Sequence, residues 1–224
     1  MIRIIKRLLR AIIPYGKLMY SQEGEDIVLN RALKGKKSGF YIDVGAHHPK
    51  RFSNTYLFYK KGWRGINIDA MPGSMEAFKK ERSRDVNLEV AVSPTQGEVD
   101  FYVFSEKAFN TCDETIARER MDLGYALESK VTVKCWPLRE ILDLNLTEGA
   151  HIDFMTVDVE GLDMAVLQSN DWERYRPSYV LVECLNTSIK DYSSDPVCKF
   201  MQSNHYEPFS KAVNTWIFMD TKSQ

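Results

Sequence analysis

Short apolar runs alternate with longer amphipathic stretches through the first half of the chain. The runs "GFYIDVGA", "GINIDA" and "VNLEVAVS" are almost wholly apolar, which is typical of strands covered on both faces. The stretches between them predict helices: "SQEGEDIVLNRAL" capped at Ser21, "SNTYLFYKKGW" opening at Ser53, and "PGSMEAFKKERS" with Pro72 in its first turn. This alternation predicts an α/β fold, with a doubly wound, mostly parallel sheet and helices on both faces.

The pattern changes in the middle of the chain. "GEVDFYVF" and "KVTVKCW" predict two strands, and the segment between them is polar and looks irregular. We therefore expect an insertion at about 97–136 that covers the carboxyl edge of the sheet. Beyond it, "IDFMTVDVEG", "SYVLVEC" and "NTWIFMD" predict further strands, with helices from Leu162 to about Ser169 and after Asp191.

The first 20 residues differ in character from the rest. In a helix, apolar residues such as Ile5 and Leu9 share one side, and basic residues such as Arg3 and Arg7 the other. This predicts an amphipathic basic helix over 1–20, followed by a single domain over 21–224. The segment is too short and charged to span a bilayer, and it lacks the cleavage site of a secretory signal. Two alternatives remain: packing on its own domain or on a partner subunit of a homo-oligomer, or peripheral contact of residues 1–14 with an anionic membrane surface.

Composition excludes several classes of partner. The chain has 224 residues and a formal net charge of -1, so it lacks the basic field that is typical of nucleic-acid binding. Its four cysteines are widely spaced and form no CxxC pair, which argues against a disulfide framework or a zinc site. We expect a cytoplasmic protein, or one peripheral to the inner membrane surface, that acts on a small molecule or glycan and not on nucleic acid.

Polar residues follow the predicted strands, where ligands of doubly wound sheets bind. They are Asp43, Asp69, Ser93, Asp158 with Glu160, and Glu183. An acid at Asp69 suits the ribose of either NAD or S-adenosylmethionine. A dinucleotide also needs a G-x-G-x-x-G cradle for its pyrophosphate, and here His47, His48 and Pro49 follow Gly45. S-adenosylmethionine has no phosphate, so this loop favours it.

The stretch "FMTVDVEGLD" brings Asp158 and Glu160 to the end of one strand. Burial and mutual repulsion raise the pKa values of such a pair. Asp158 could be a general base for an acceptor hydroxyl, the two acids could share a divalent cation, or they could cap the next helix and bind the donor's ammonium group. His48 is the competing base or an orienting residue, and its alternative is a structural cap. We expect the acceptor to meet His47, Asn54, Asn110 and Glu183.

Five segments of the chain, taken together, resemble one known protein family. "SQEGED", "YIDVGAHHP", "GWRGINIDA", "VAVS" and "TVDVEGLDMAVLQ" resemble the FkbM family of S-adenosylmethionine-dependent methyltransferases. The resemblance implies a class I methyltransferase (Rossmann-like) fold, S-adenosylmethionine as cofactor, and O-methylation of sugars or related hydroxyls. It places donor binding at Asp43, Gly45, Asp69 and Ser93, and it matches Asp158, Glu160 and Gly161 to the family's DxEG element. Neighbouring positions complete the predicted donor site: Gln22, Ala46, Ala70 and Ala91. Many members continue the first loop with Asn-x-Gly, where this chain has the two histidines and the proline.

The sequence thus predicts an O-methyltransferase with Asp158 as the base and with His48 and Glu160 as further catalytic candidates. A divalent cation shared by Asp158 and Glu160 remains an alternative, but we do not expect one. A non-catalytic binding protein that retains the fold is the alternative from another class. An NAD-dependent oxidoreductase fits less well because the glycine pattern is missing. Methylation of nucleic acid fits poorly, because the chain has neither a basic net charge nor an Asn-Pro-Pro-aromatic loop.

Overall fold

The computed structural model describes residues 17–147, 149–185 and 187–222. Most of the predicted basic helix, including the segment predicted to contact membranes, lies outside these residues. Within them, no helix combines the length and the apolar character that crossing a bilayer requires.

The described helices and strands alternate as the apolar pattern predicts. The helices are α1 Glu25–Ala32, α2 Tyr56–Lys60, α3 Met75–Glu81, α4 Glu114–Asp122, α5 Leu138–Asn145, α6 Asp163–Gln168 and α7 Pro196–Ser203, with 3₁₀ turns at Lys107–Phe109 and Ile189–Asp191. The strands are β1 Phe40–Val44, β2 Arg64–Asp69, β3 Val86–Glu89, β4 Ala91–Val92, β5 Gly97–Phe104, β6 Leu127–Trp136, β7 Phe154–Val157, β8 Tyr179–Glu183, β9 Tyr206–Ala212 and β10 Thr215–Asp220.

The main sheet has seven strands in the order β3-β2-β1-β7-β8-β10-β9. Strands β3, β2, β1, β7 and β8 pair in parallel, and β10 runs antiparallel to both of its neighbours. The chain first builds outward from β1 to β3 and later returns to place β7 on the other side of β1. This reversal opens a crevice at the carboxyl ends of β1 and β7. The predicted α/β fold is confirmed.

Side chains alternate between two apolar layers on the faces of the sheet. Ile42 and Val44 of β1 pack with residues of α5 and α6, such as Leu142. Tyr41 points to the other face and packs with Phe58 of α2. Because every central strand is buried on both faces, its sequence is a nearly continuous apolar run.

A second, three-stranded sheet in the order β4-β6-β5 changes two expectations. The run "VNLEVAVS" is not one strand: β3 ends at Glu89, and β4 pairs in parallel with the end of β6. Ser93 therefore lies in the second sheet, where its N–H bonds to the Trp136 carbonyl, and not at the end of a strand of the main sheet. The polar segment between β5 and β6 is not irregular either, since it contains α4, which Asp113 caps.

One helix boundary and two further elements differ from what the sequence pattern predicts. Helix α1 begins at Glu25 instead of near Ser21, after Gly24 at a φ of 90°. The Ser21 hydroxyl donates to the Asp26 carboxylate at 2.8 Å, so it fixes the approach to the helix. Helix α5 and strand β9 were not predicted, because their apolar residues are interspersed with charged ones.

The fully buried Arg82, just after α3, joins the parts of the sheet that carry the site. Its guanidinium pairs with Asp85, and both side chains are 0% exposed. It also donates to the Tyr41 hydroxyl at 2.8 Å, the Thr55 hydroxyl at 2.9 Å and the Pro49 carbonyl at 3.1 Å. A single cation thus connects β1 with the loop that contains the histidines.

We expect Arg82→Met to lower the free energy of unfolding by about 3–5 kcal/mol, the usual cost of leaving a buried ion-pair partner uncompensated. Urea denaturation followed by circular dichroism measures the loss. Arg84→Ala is the matched control, because Arg84 is exposed two residues away, and it should cost less than about 1 kcal/mol. Equal losses for the two variants would show that the buried network does not stabilise the fold.

Candidate active site

A cavity of about 650 Å³ opens at the carboxyl edge of the main sheet. Its walls are the turns after β1 and β7, the end of β2, and the insertion between β4 and β6. Most of the predicted site residues line it: Gln22, Gly45, His47, His48, Asp69, Ala70, Ala91, Asn110, Asp158 and Glu160.

The turn after β1 passes directly against the turn after β7 at Gly45. The φ of Gly45 is +84°, and a Cβ there would lie 1.7 Å from the Asp158 carbonyl oxygen. The N–H groups of Gly45 and Ala46 both donate to the Ile68 carbonyl of β2. Glycine is therefore required at this position by the close approach of two chain segments, and their contact forms the base of the cavity.

Asp69 organises the loops at the end of β2. Its carboxylate accepts the N–H groups of His47 and Met71, each at 2.8 Å. Burial raises its pKa, although these N–H bonds oppose the shift. A carboxylate has about four acceptor positions, so Asp69 retains capacity for ribose hydroxyls. Its role in binding the donor ribose stays a prediction.

The ring of His48 is fixed by backbone groups. Its Nδ1 accepts the N–H groups of Lys50 at 3.0 Å and Arg51 at 2.9 Å. Burial and the neighbouring cations lower its pKa. The neutral ring consequently carries its proton on Nε2, which makes it a hydrogen-bond donor. This geometry supports the capping interpretation of His48 and leaves no nitrogen free to act as a base.

Asp158, Glu160 and Glu183 bring carboxylate oxygens within 4.8 Å of one another. Asp158 hydrogen-bonds to Glu183, and burial followed by repulsion from Glu183 and Glu160 raises the pKa of Asp158 well above its usual range. Burial, followed by repulsion from Glu160 and Asp163, raises the pKa of Glu183 to about 7, although its hydrogen bond with Asp158 opposes the shift. Near neutral pH the pair therefore shares a proton, held mainly by Asp158. Three oxygen ligands at this spacing also suit a hard divalent cation.

Glu160 has a different environment from the other two acids. Its carboxylate pairs with Arg120 of α4, and its backbone has a φ of +57°. Burial raises the pKa of Glu160, and the Arg120 guanidinium opposes this shift. The catalytic role that the sequence assigns to Glu160 stays a prediction.

Three predicted donor residues, Asp43, Ala46 and Ser93, do not line the cavity in the described part of the chain. Asp43 lies below it and accepts the Thr55 hydroxyl at 2.5 Å, and burial raises its pKa to about 6. Ala46 packs against Met75, and Ser93 lies in the second sheet. The donor-binding role that the sequence assigns to these three residues stays a prediction.

The predicted acceptor residues have separate surroundings. Asn54 and Glu183 line a small cavity that Gln22 and Asp158 also border. Asn54 donates to Thr156 at 3.0 Å, and its Oδ1 is buried without a partner. Asn110 accepts the Phe104 N–H at 2.8 Å, so its amide helps to fold the insertion.

The sequence profile of the methyltransferase FkbM domain matches residues 43–208. The chain belongs to the FkbM methyltransferase family. This assignment confirms the predicted family. A search of curated protein sequences found no significant match.

Solved structures show a similar arrangement at low identity. The methyltransferase FkbM of Methylobacillus flagellatus matches with a TM-score of 0.48 and 11% identity, over 82% of this chain and 44% of that one. This chain therefore spans less than half of that protein. The 1,6-didemethyltoxoflavin-N1-methyltransferase of Burkholderia thailandensis, crystallised with 1,6-didemethyltoxoflavin and S-adenosylhomocysteine, matches with a TM-score of 0.42 and 11% identity over 87% and 74% of the two chains. A TehB-like S-adenosylmethionine-dependent methyltransferase of Corynebacterium glutamicum gives 0.42 and 9% over 98% and 97%.

The sequence patterns did not identify several residues at this cavity. Phe52 lines it from a left-handed backbone conformation with a φ of +56°. Cys112 also lines it, and burial raises the pKa of its thiol to about 12, so the thiol stays protonated. Arg120 reaches the site from α4. A single aromatic, cysteine or arginine in a polar segment has no periodic signal that would identify it.

The pH dependence of stability tests the carboxyl pair. The pKa of Glu183 is about 7 in the folded protein against an ordinary 4.5, so the folded state binds more protons between these pH values and loses stability as the pH rises through them. Glu183→Gln removes this loss. We expect it to raise Tm relative to wild type more at pH 8 than at pH 5, by roughly 3 °C, the shift that about 1 kcal/mol produces in a domain of this size.

Differential scanning calorimetry at the two pH values makes the comparison. Glu207→Gln is the control, since Glu207 is exposed on β9 and its effect should not depend on pH. A Glu183→Gln effect of equal size at pH 5 and pH 8 would show that the pair does not hold an extra proton.

Proposed function

We propose that this protein is an S-adenosylmethionine-dependent O-methyltransferase that acts on a hydroxyl of a sugar, a glycan precursor or a related small molecule. The observation that carries this proposal is the Asp158–Glu183 pair. It holds a proton near neutral pH and adjoins the cavity at the switch point of a methyltransferase sheet. Such a pair is suited to receive the proton that a hydroxyl loses on methylation.

The cavity fits the donor in size and in chemistry. Its volume of about 650 Å³ lies within the roughly 300–1,000 Å³ that is typical of small-molecule sites. Asp69 would take the ribose hydroxyls, and the Gly45 turn with Gln22 would border the methionine end. Ala70 and Ala91 would form small apolar walls beside the nucleoside.

S-adenosylmethionine supplies a methyl group on a positively charged sulfur, which needs no further activation. The task of the chain is to align the acceptor oxygen and to remove its proton. Asp158 borders the large cavity, whereas Glu183 borders the small one behind it. In our proposal Asp158 takes the proton of the acceptor as its own proton passes to Glu183.

Residues near this pair suit a carbohydrate. Phe52 is exposed, borders both cavities and carries the Arg51 guanidinium over one face of its ring, which leaves the other face for a ligand. Beside it, the Nε2–H of His48 is a neutral donor for a hydroxyl, and His47 lines the same wall. A few polar groups beside an aromatic surface are the usual means of orienting a small polar ligand.

Asp158→Asn should lower kcat by about 10²–10⁴-fold, the usual contribution of a general base, and leave S-adenosylhomocysteine affinity within a few fold. The wild-type rate should rise between pH 6 and pH 8, because the pair must lose its second proton, and Glu183 does so near pH 7. Transfer of labelled methyl groups to an acceptor panel measures the rate, with Glu207→Gln as the control. Retained turnover in Asp158→Asn would remove this residue from the mechanism.

Calorimetric titration with S-adenosylmethionine, S-adenosylhomocysteine and NAD precedes these assays. We expect micromolar binding of the first two and none of NAD. The acceptor panel should contain sugars, sugar phosphates, nucleotide sugars and an aromatic nitrogen compound, so that transfer to nitrogen alone would overturn the O-methyl part of the proposal. Donor binding without turnover on any acceptor would favour a binding protein that retains the fold.

A further inference from the structure

The insertion is attached to the turn after β7 by polar contacts around Glu160. The guanidinium of Arg120 pairs with the Glu160 carboxylate, and the Arg120 side chain is only 11% exposed. The same guanidinium bonds to the Phe109 carbonyl. The Thr111 hydroxyl donates to the Glu160 carbonyl at 2.9 Å. Side chains of the insertion therefore hold both the backbone and the carboxylate of one residue.

The turn itself has a conformation that needs outside support. Glu160 has a φ of +57° and Gly161 a φ of +107°. A left-handed backbone at a residue other than glycine persists only where its surroundings impose it. A Cβ on Gly161 would lie 1.9 Å from Cδ1 of Ile116, so α4 rests directly on this turn.

These contacts lie at the wall of the large cavity. Val159, Glu160 and Leu162 line it from the turn, while Asn110 and Cys112 line it from the insertion. Any separation of the insertion from the turn would open the cavity between these two sets of residues. Asp158, immediately before the turn, would lose part of its surroundings as well.

We propose that Arg120 is a positioning residue, whose pair with Glu160 keeps the insertion closed on the donor cavity and thereby slows the release of the bound donor. This inference rests on the proposed position of the donor. The pair joins two parts of the chain and does not itself bind the ligand, so breaking it should favour an open insertion, from which the bound donor leaves faster.

The test measures S-adenosylhomocysteine dissociation and association rates by surface plasmon resonance on the full chain. Arg120→Ala should release this ligand about tenfold faster than wild type, because the closed state loses a partly buried ion pair. The matched control is Arg118→Ala, which breaks the exposed Arg118–Glu114 pair on the same helix. Its dissociation rate should stay within about twofold of wild type.

Two further variants separate positioning from folding. Glu160→Gln breaks the pair from the other side without leaving a buried carboxylate, and it decides the question if Arg120→Ala does not fold. The exchanged pair Arg120→Glu with Glu160→Arg should slow the release again relative to either charge-breaking variant. Hydrogen exchange of residues 107–122 in the ligand-free protein should be faster in Arg120→Ala than in Arg118→Ala.

The failures are distinguishable. Wild-type protein that binds no S-adenosylhomocysteine would overturn the proposed function, and this inference with it. Wild-type binding with unchanged release from both Arg120→Ala and Glu160→Gln would overturn only the positioning role. Faster release together with unchanged exchange in the insertion would also overturn it, because the insertion would then not have moved.

Discussion

The buried guanidinium of Arg82 must find a partner for each of its donors, because an uncompensated charge inside a protein is strongly destabilising. Its partners come from different parts of the chain: Tyr41 on β1, Asn67 on β2, Pro49 and Thr55 in the loop after β1, and Asp85 before β3. Asp85 in turn accepts the Gly65 N–H at 3.0 Å. These bonds form together only when β1 and β2 are in register and the loop lies across them. The network thus couples the order of the sheet to the shape of the donor side of the site.

A rigid support of this kind explains how the loop keeps strained conformations. His47 and Phe52 have φ values of +47° and +56°, and such residues cost about 1–3 kcal/mol each unless the surroundings impose them. Arg82 fixes Pro49 between them, and the Asp69 carboxylate fixes the N–H of His47. The strain places an aromatic ring and two imidazoles at the cavity wall. Tertiary contacts thus impose a loop conformation that local preference alone would not produce.

The central strands and the acids at their ends could be predicted because burial on both faces leaves a local signal, an apolar run that stops at a carboxylate. The position of Ser93 could not, since pairing with β6, more than 30 residues later in the chain, decides which sheet β4 joins. The state of His48 depends on the backbone N–H groups of Lys50 and Arg51, which no periodicity reveals. The Arg120–Glu160 pair joins residues 40 positions apart. Sequence patterns therefore placed Asp69, Asp158 and Glu160 at the cavity but also Asp43, which does not line it, and only the three-dimensional contacts distinguish the chemistry of these acids.

The chemical difference between these acids depends on the position of the Arg120 guanidinium. Three carboxylates share a small volume at the end of the sheet, and full ionisation of all three would be strongly unfavourable. Arg120 compensates the charge of Glu160, whereas among the described residues no cation pairs with Asp158 or Glu183, which keep a proton instead. The insertion consequently does more than line the cavity, because the guanidinium that it supplies pairs with one of three neighbouring acids. In our proposal the other two, Asp158 and Glu183, exchange the proton of the acceptor, so the insertion and the proposed acid–base pair are linked through Arg120.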